Sequence, residues 1–162
     1  MNASGSAMTV LVADDDEDDR RFIRKAWAKE RAPAALMFVE NGEELIDYLS
    51  HAGKYRDPAS SPRPSIILLD LNMPRKDGRQ SLKEIKANPG LRQIPVIIFT
   101  TSQADEDIDD SYLLGANSFI SKPRTFTALV DIMQTIGSYW IDLVDLGPAN
   151  MGDIPGAMLT TP

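Results

Sequence analysis

Four consecutive apolar residues, 66–69 (Ile-Ile-Leu-Leu), stop at an acid, Asp70, and the chain then runs through Met73-Pro74 to Asp77-Gly78. A half-exposed strand alternates apolar and polar positions, so an unbroken run of this length reads as a strand buried on both faces. Pro74 and Gly78 make the stretch after Asp70 loop or turn. A carboxylate therefore marks the point where a buried strand opens, and open α/β sheets bind ligands in the crevice beyond the strands' carboxyl ends. An isolated Asp there does no more than begin a turn. Its company elsewhere in the chain decides between the two.

The same pattern recurs. Apolar residues 9–13 end in Asp14-Asp15-Asp16-Glu17-Asp18-Asp19, and residues 95–99 end in Thr100-Thr101-Ser102. Residues 118–121 end in Lys122-Pro123, and 36–39 make one further short strand turned by Asn41-Gly42. Between them lie helical stripes: Phe22, Ile23, Ala26 and Trp27; Leu45, Ile46 and Leu49; Leu82 and Ile85, closed by Asn88-Pro89-Gly90. A short amphipathic helix carries Ile108, Tyr112 and Leu113, with Gly115 as its left-handed stop, and a last helix spans 125–144. Acids in a first helical turn favour the macrodipole, which accounts for Asp16, Asp18 and Asp19 as capping residues. It does not account for Asp14 and Asp15, which end a strand. The proline-bearing stretch 53–64 exceeds the usual connection length and reads as a mobile loop.

Strands alternating with helices predict an α/β fold: a flavodoxin-like, five-stranded parallel sheet of order 2-1-3-4-5 with five flanking helices. A chain of 162 residues suits one domain, expected over 8–146, with a disordered lead-in at 1–7 and a flexible tail at 147–162. The net charge of −7 argues against nucleic acid as a partner. There are no cysteines, which removes disulfides and thiolate metal sites. No apolar run approaches the roughly 18 residues a membrane span needs, and the N-terminus has no signal-peptide pattern, so a cytoplasmic location is expected.

In the order 2-1-3-4-5, strands one, three, four and five are consecutive neighbours. Asp14, Asp15, Asp70, Thr100 and Lys122 thus fall along one edge of the sheet. Carboxylates at short range repel one another, and a divalent cation offsets that repulsion. Oxygen-only ligands point to a hard ion, Mg²⁺ first, with Mn²⁺ or Ca²⁺ as alternatives. A carboxylate beside such a cation, a lysine and a hydroxyl is suited to accept a phosphoryl group.

Together these residues resemble the receiver domain of bacterial two-component response regulators, whose fold is CheY-like. The resemblance spans about residues 8–144 and rests on Asp14-Asp15, on Asp70 within Leu-Leu-Asp-Leu-Asn-Met-Pro, on Thr100 and on Lys122-Pro123. It implies Asp70 as phosphoacceptor, Asp14, Asp15, Asp70 and Asn72 at a metal site, and Thr100, Lys122 and Phe119 as phosphoryl-binding or switch residues. Asn72 and Ser102 are implied as modulators of dephosphorylation, and Lys122-Pro123 as a cis bond. Phe119 departs from the family's usual Tyr, and Thr101 replaces a commonly smaller residue.

A finer resemblance is to stand-alone regulators of phytochrome-type histidine kinases, carried by the long 53–64 loop, Thr100-Thr101-Ser102, Asn117-Ser118-Phe119 and Tyr139-Trp140. It implies a histidine kinase as partner and self-catalysed phosphoryl transfer without enzymatic turnover. On the last helix Phe126, Leu129, Val130, Met133, Ile136, Trp140, Ile141 and Val144 form one side. Ile132, Tyr139 and Leu143 widen that arc beyond what one core needs, so they and Phe22 form the expected partner surface, with a homodimer as the simplest outcome. The alternatives are an aspartyl-phosphate hydrolase, which needs an acid where Asn72 stands, and an unphosphorylated binding module.

Overall fold

The computed structural model describes residues 8–29 and 34–147. The strands are β1 (Thr9–Ala13), β2 (Ala35–Val39), β3 (Ile66–Leu69), β4 (Val96–Thr100) and β5 (Ser118–Ser121). The helices are α1 (Glu17–Ala28), α2 (Gly42–Ser50), α3 (Gly78–Ala87), α4 (Asp105–Leu113) and α5 (Phe126–Ile136). All strand pairs are parallel, in the order β2-β1-β3-β4-β5, as the alternation of elements predicts. Among the described residues no helix is long and apolar enough to cross a membrane. The expected lead-in at 1–7 and the tail beyond 147 lie outside the described residues.

The central strands are apolar on both faces because each face has its own core. Leu11, Ala13, Ile67, Leu69, Val96 and Ile98 pack with Leu45, Leu49, Leu82 and Ile85 of α2 and α3. Val10, Val12, Ile66, Leu68, Ile97 and Phe99 pack on the opposite face with Ile23, Trp27, Leu129 and Met133 of α1 and α5. Between the strand ends both faces are covered by apolar side chains, which explains the unbroken runs; the buried polar residues Thr9 and Thr100 sit at strand ends.

Several expectations need correction. The 53–64 stretch is tied down: it contains a short 3₁₀ turn, Gly53–Tyr55, and Ser61 is buried with its hydroxyl donating to the Tyr55 and Asp57 carbonyls. The Tyr48 hydroxyl donates to the Pro62 carbonyl at 2.8 Å, and the Arg63 guanidinium to that of Gly90 at 2.7 Å. These bonds use backbone acceptors that no composition rule can foresee. In α4 the apolar stripe faces the wrong way, with Tyr112 and Leu113 exposed and only Ser111 buried. All peptide bonds among the described residues are trans, Lys122-Pro123 included, which is the intrinsically preferred form even before proline.

The last helix also changes type. After Ile136 the chain widens into a π segment, Gly137–Leu143, in which the Val144 N–H donates to the Tyr139 carbonyl, five residues back, at 2.8 Å. Ile136 and Ile141 are both buried at that five-residue spacing, whereas Trp140 is only half-buried. Phe126, expected inward, lies at the start of α5 and is partly exposed.

Candidate functional site

Parallel register brings the strand ends together. Ala13 pairs with Leu69, Leu69 with Ile98, and Thr100 with Ser121, so the residues just past each strand emerge along one edge. The ladder continues past the strands: Asp70 N–H donates to the Ala13 carbonyl at 3.0 Å and Lys122 N–H to that of Thr100 at 2.7 Å. Asp16 then starts α1 as its N-cap, accepting from Asp19 N–H at 3.0 Å. Gly78 starts α3 directly behind Asp70, donating its N–H to the Leu71 carbonyl at 2.9 Å.

Asp14, Asp70 and Thr100 are buried, and Asp15 is exposed. Asp14, Asp15 and Asp70 each offer an oxygen within 4.8 Å of the others, a spacing one small cation can span. This all-oxygen donor set fits a hard divalent ion. Lys122 extends into the same place: its Nζ lies 2.6 Å from Asp14, 2.8 Å from Asp19 and 3.1 Å from Asp70. Three carboxylates contact the one ammonium, and Asp15 stands beside two of them; Asp14, Asp15 and Asp70 together carry an excess of negative charge that leaves room for a cation. Burial pushes the Asp14 carboxyl from the usual 3.8 up to about 6, further than the neighbouring Lys122 pulls it down, and Asp70 adds to the rise. Burial works against the charged Lys122 as well, but Asp14, Asp19 and Asp70 overcome it and hold the ammonium above the ordinary lysine range.

The remaining expected residues are arranged around this core. Asn72 is exposed and its N–H donates to Asp70 Oδ1 at 3.3 Å. Ser102 donates its hydroxyl to Asp107 and its N–H to Thr100 Oγ1, the latter at 3.5 Å. Phe119 is outside the acid cluster: half-buried on β5, it packs against the core shared with α2 and α3, and Tyr112 Oη accepts its N–H at 3.1 Å. Thr101 is exposed.

The expected partner surface divides. Phe22 stacks edge-on against Phe126 at 6.4 Å and lines a hollow of about 270 Å³ with Asp19, Lys122 and Pro123. Tyr139 and Leu143 are exposed on the π segment. Ile132 is not free, because it packs against the core between α1 and α5. Asp19 is the residue that sequence reasoning missed: a capping role explains its position, and nothing local betrays its contact with Lys122, 103 residues away.

Acids from β1 and β3 and a lysine from β5, gathered at the carboxyl edge of a 2-1-3-4-5 sheet, define the receiver class of phosphoacceptor domain. The sequence pattern of the response regulator receiver domain matches residues 10–134, and the chain belongs to that family. Response regulator Rcp1 of Synechocystis sp. is 36% identical over 146 residues, spanning 90% of this chain and 97% of its own. The crystal structure of Mn²⁺-bound Rcp1 matches with a TM-score of 0.79 at 36% identity, over 86% of this chain and 99% of that one. That of the phosphorylated cyanobacterial phytochrome response regulator RcpA matches at 0.79 and 37% identity, over 86% of this chain and 97% of that one. Receiver domains of this family work with histidine kinases.

Proposed function

We propose that Asp70 accepts a phosphoryl group from the phosphohistidine of a histidine kinase of the phytochrome type, in a reaction that depends on a divalent cation. The observation that carries this reading is the sharing of Lys122 Nζ between Asp14 and Asp70, beside three carboxylates spaced for one ion. A carboxylate oxygen of Asp70 attacks phosphorus, the phosphorus–nitrogen bond breaks, and the kinase histidine leaves with that electron pair. Asp14, Asp15, Asp70 and Asn72 would hold Mg²⁺, with Mn²⁺ or Ca²⁺ as substitutes. The bound ion supplies charge neutralisation for the phosphoryl oxygens. Lys122 offsets the same charge from the other side, and the Thr100 hydroxyl donates to one phosphoryl oxygen.

Phosphorylation then shifts the face built from α4, β5 and α5, with Thr100 and the half-buried Phe119 as the moving parts. Asn72 and Ser102 set the lifetime of the phosphoaspartate. The protein acts on itself and turns over no other substrate. Tyr139 and Leu143, exposed and apolar, support a homodimer formed through the end of the chain's last helix. The net charge of −7 supports a protein that does not bind nucleic acid or an anionic membrane surface, and a cysteine-free chain is in keeping with a reducing cytoplasm.

Incubation with acetyl phosphate and Mg²⁺ tests the central step. Wild type gains about 80 Da, the mass of one phosphoryl group, and Asp70→Asn gains nothing. An adduct of equal yield on Asp70→Asn, or none on wild type, would overturn it. Light scattering before and after labelling tests the dimer.

A further inference from the structure

Asp19 is the third residue of α1, where a carboxylate commonly does no more than favour the helix dipole. Its backbone N–H is already fixed by the Asp16 side chain at 3.0 Å. Capping makes no demand on the Asp19 side chain, yet its Oδ2 accepts from Lys122 Nζ at 2.8 Å. An ammonium has three N–H donors, and Lys122 faces three carboxylates, Asp14 at 2.6 Å, Asp19 at 2.8 Å and Asp70 at 3.1 Å. Its donors are fully engaged.

These three acceptors are not equivalent. Asp14 and Asp70 belong, with Asp15, to the group of oxygens within 4.8 Å of one another, and Asp19 does not. A cation seated among the first three draws on the oxygens that hold Lys122. Asp70 is moreover the oxygen donor to phosphorus. Asp19 is then the one acceptor for which neither the cation nor the phosphoryl group competes.

We propose that Asp19 is a positioning residue for Lys122, holding the ammonium at the rim of the site while Asp14 and Asp70 are engaged elsewhere. Lysine carries its charge on a flexible four-carbon stem, and a charge already in place stabilises developing negative charge better than one that must be recruited. The anchor is tied to the site through its backbone neighbours. Asp16 caps the helix below it, and the next residue, Arg20, donates to the Asp14 carbonyl at 2.8 Å, binding the start of α1 to the end of β1. The inference rests on Asp70 as acceptor and adds a role for a residue outside the acid pair.

The test uses the full chain as wild type, Asp19→Ala, Asp19→Asn and Asp70→Asn, with folding checked by thermal melts. Adduct formation from acetyl phosphate and Mg²⁺ is followed by intact mass, Mn²⁺ binding by calorimetry, and the Lys122 Nζ–H signal by ¹⁵N NMR. Asp19→Ala should slow adduct formation roughly tenfold, less than loss of a direct oxyanion donor does. Asp19→Asn, which keeps an acceptor in place, should recover most of that rate. Mn²⁺ affinity should be unchanged in both, and the Nζ–H signal should survive Mg²⁺ addition in wild type and Asp19→Asn but not in Asp19→Ala. A wild-type rate in Asp19→Ala would overturn the inference, as would equal slowing in both variants with a matching loss of Mn²⁺ affinity. Should wild type form no adduct, the acceptor assignment fails by itself, and the Nζ–H signal still decides the role of Asp19.

Discussion

The Asp14 carboxylate and the Lys122 ammonium stand 2.6 Å apart, with 2% and 9% of their side chains open to solvent. Their closeness does not make Asp14 an ordinary ionised acid, because burial outweighs the attraction and raises its carboxyl to about 6.

That shift makes both stability and metal binding depend on pH. The folded protein holds the Asp14 proton more tightly than the unfolded chain, so this group's contribution to stability is complete below pH 3.8 and lost as pH rises through about 6. Metal ligation needs the carboxylate, so affinity for Mg²⁺ or Mn²⁺ should fall as pH drops through the same value. Calorimetry in buffers of differing ionisation enthalpy should detect proton release on binding near pH 6 that vanishes at higher pH. Affinity that stays flat across that range would refute the expectation.

Gly78 admits no side chain. A Cβ there would lie 2.2 Å from the Asp70 carbonyl oxygen and 2.8 Å from Leu71 Cα, both backbone atoms of the segment that carries the acceptor. Gly78→Ala should destabilise by about 3 kcal/mol, the upper range for overpacking, and slow labelling of Asp70. At Gly90 the nearest atom is the Asn88 side-chain oxygen at 3.3 Å, so Gly90→Ala should cost less than about 1 kcal/mol. Urea melts of the two variants provide the comparison, and equal midpoints would disprove it.

Helix α4 is held by few contacts, and Asp107 makes several of them. Its side chain accepts from the Ser102 hydroxyl and from the Arg79 guanidinium, the latter at 2.6 Å, and these donors hold its carboxyl below the usual range. Asp107→Ala removes both bonds and should speed amide exchange in α4 about tenfold, a modest effect because the pair is partly open to solvent, while the well-packed α3 changes less. The tether should also weaken as pH falls through the carboxylate range, since a depressed pKa gives stability that is lost on protonation. Hydrogen-exchange mass spectrometry reads both effects, and unchanged α4 exchange would count against them.

Ser65 Oγ is buried without a hydrogen-bond partner among the described residues. Its backbone N–H is satisfied by the Thr9 carbonyl at 2.8 Å, so only the hydroxyl is stranded. Ser65→Ala should raise stability by about 1 kcal/mol, measurable as a higher urea midpoint; a clear loss would reveal an acceptor for that hydroxyl.

The sheet was legible because two-sided burial leaves its mark in the unbroken runs 66–69 and 95–99, and its order because alternating strands and helices in a chain of this size suit the flavodoxin-like arrangement. Asp14, Asp15, Asp70, Thr100 and Lys122 were legible because parallel register carries every strand end to one edge. Asp19 was not: its link to Lys122 spans 103 residues, and its local surroundings are those of any helix start. The α4 stripe misled because Tyr112 and Leu113 obey helical spacing while Ser111 takes the inner position. The 53–64 loop misled for a related reason: Tyr48 and Arg63 hold it through backbone carbonyls, and the Tyr55 hydroxyl reaches the Glu44 carboxylate on α2.

The π segment at 137–143 has a consequence for comparing this chain with its kin. It absorbs about one residue more per turn than the helix before it, so Ile141 becomes the fully buried side chain after Ile136, while Trp140 stays half-buried at the edge of the same core. A relative whose last helix stays regular will align with this one only across a single-residue gap near Gly137. Beyond that gap, residues matched by number will point in different directions, and Tyr139 and Leu143 will have no counterpart in the same orientation.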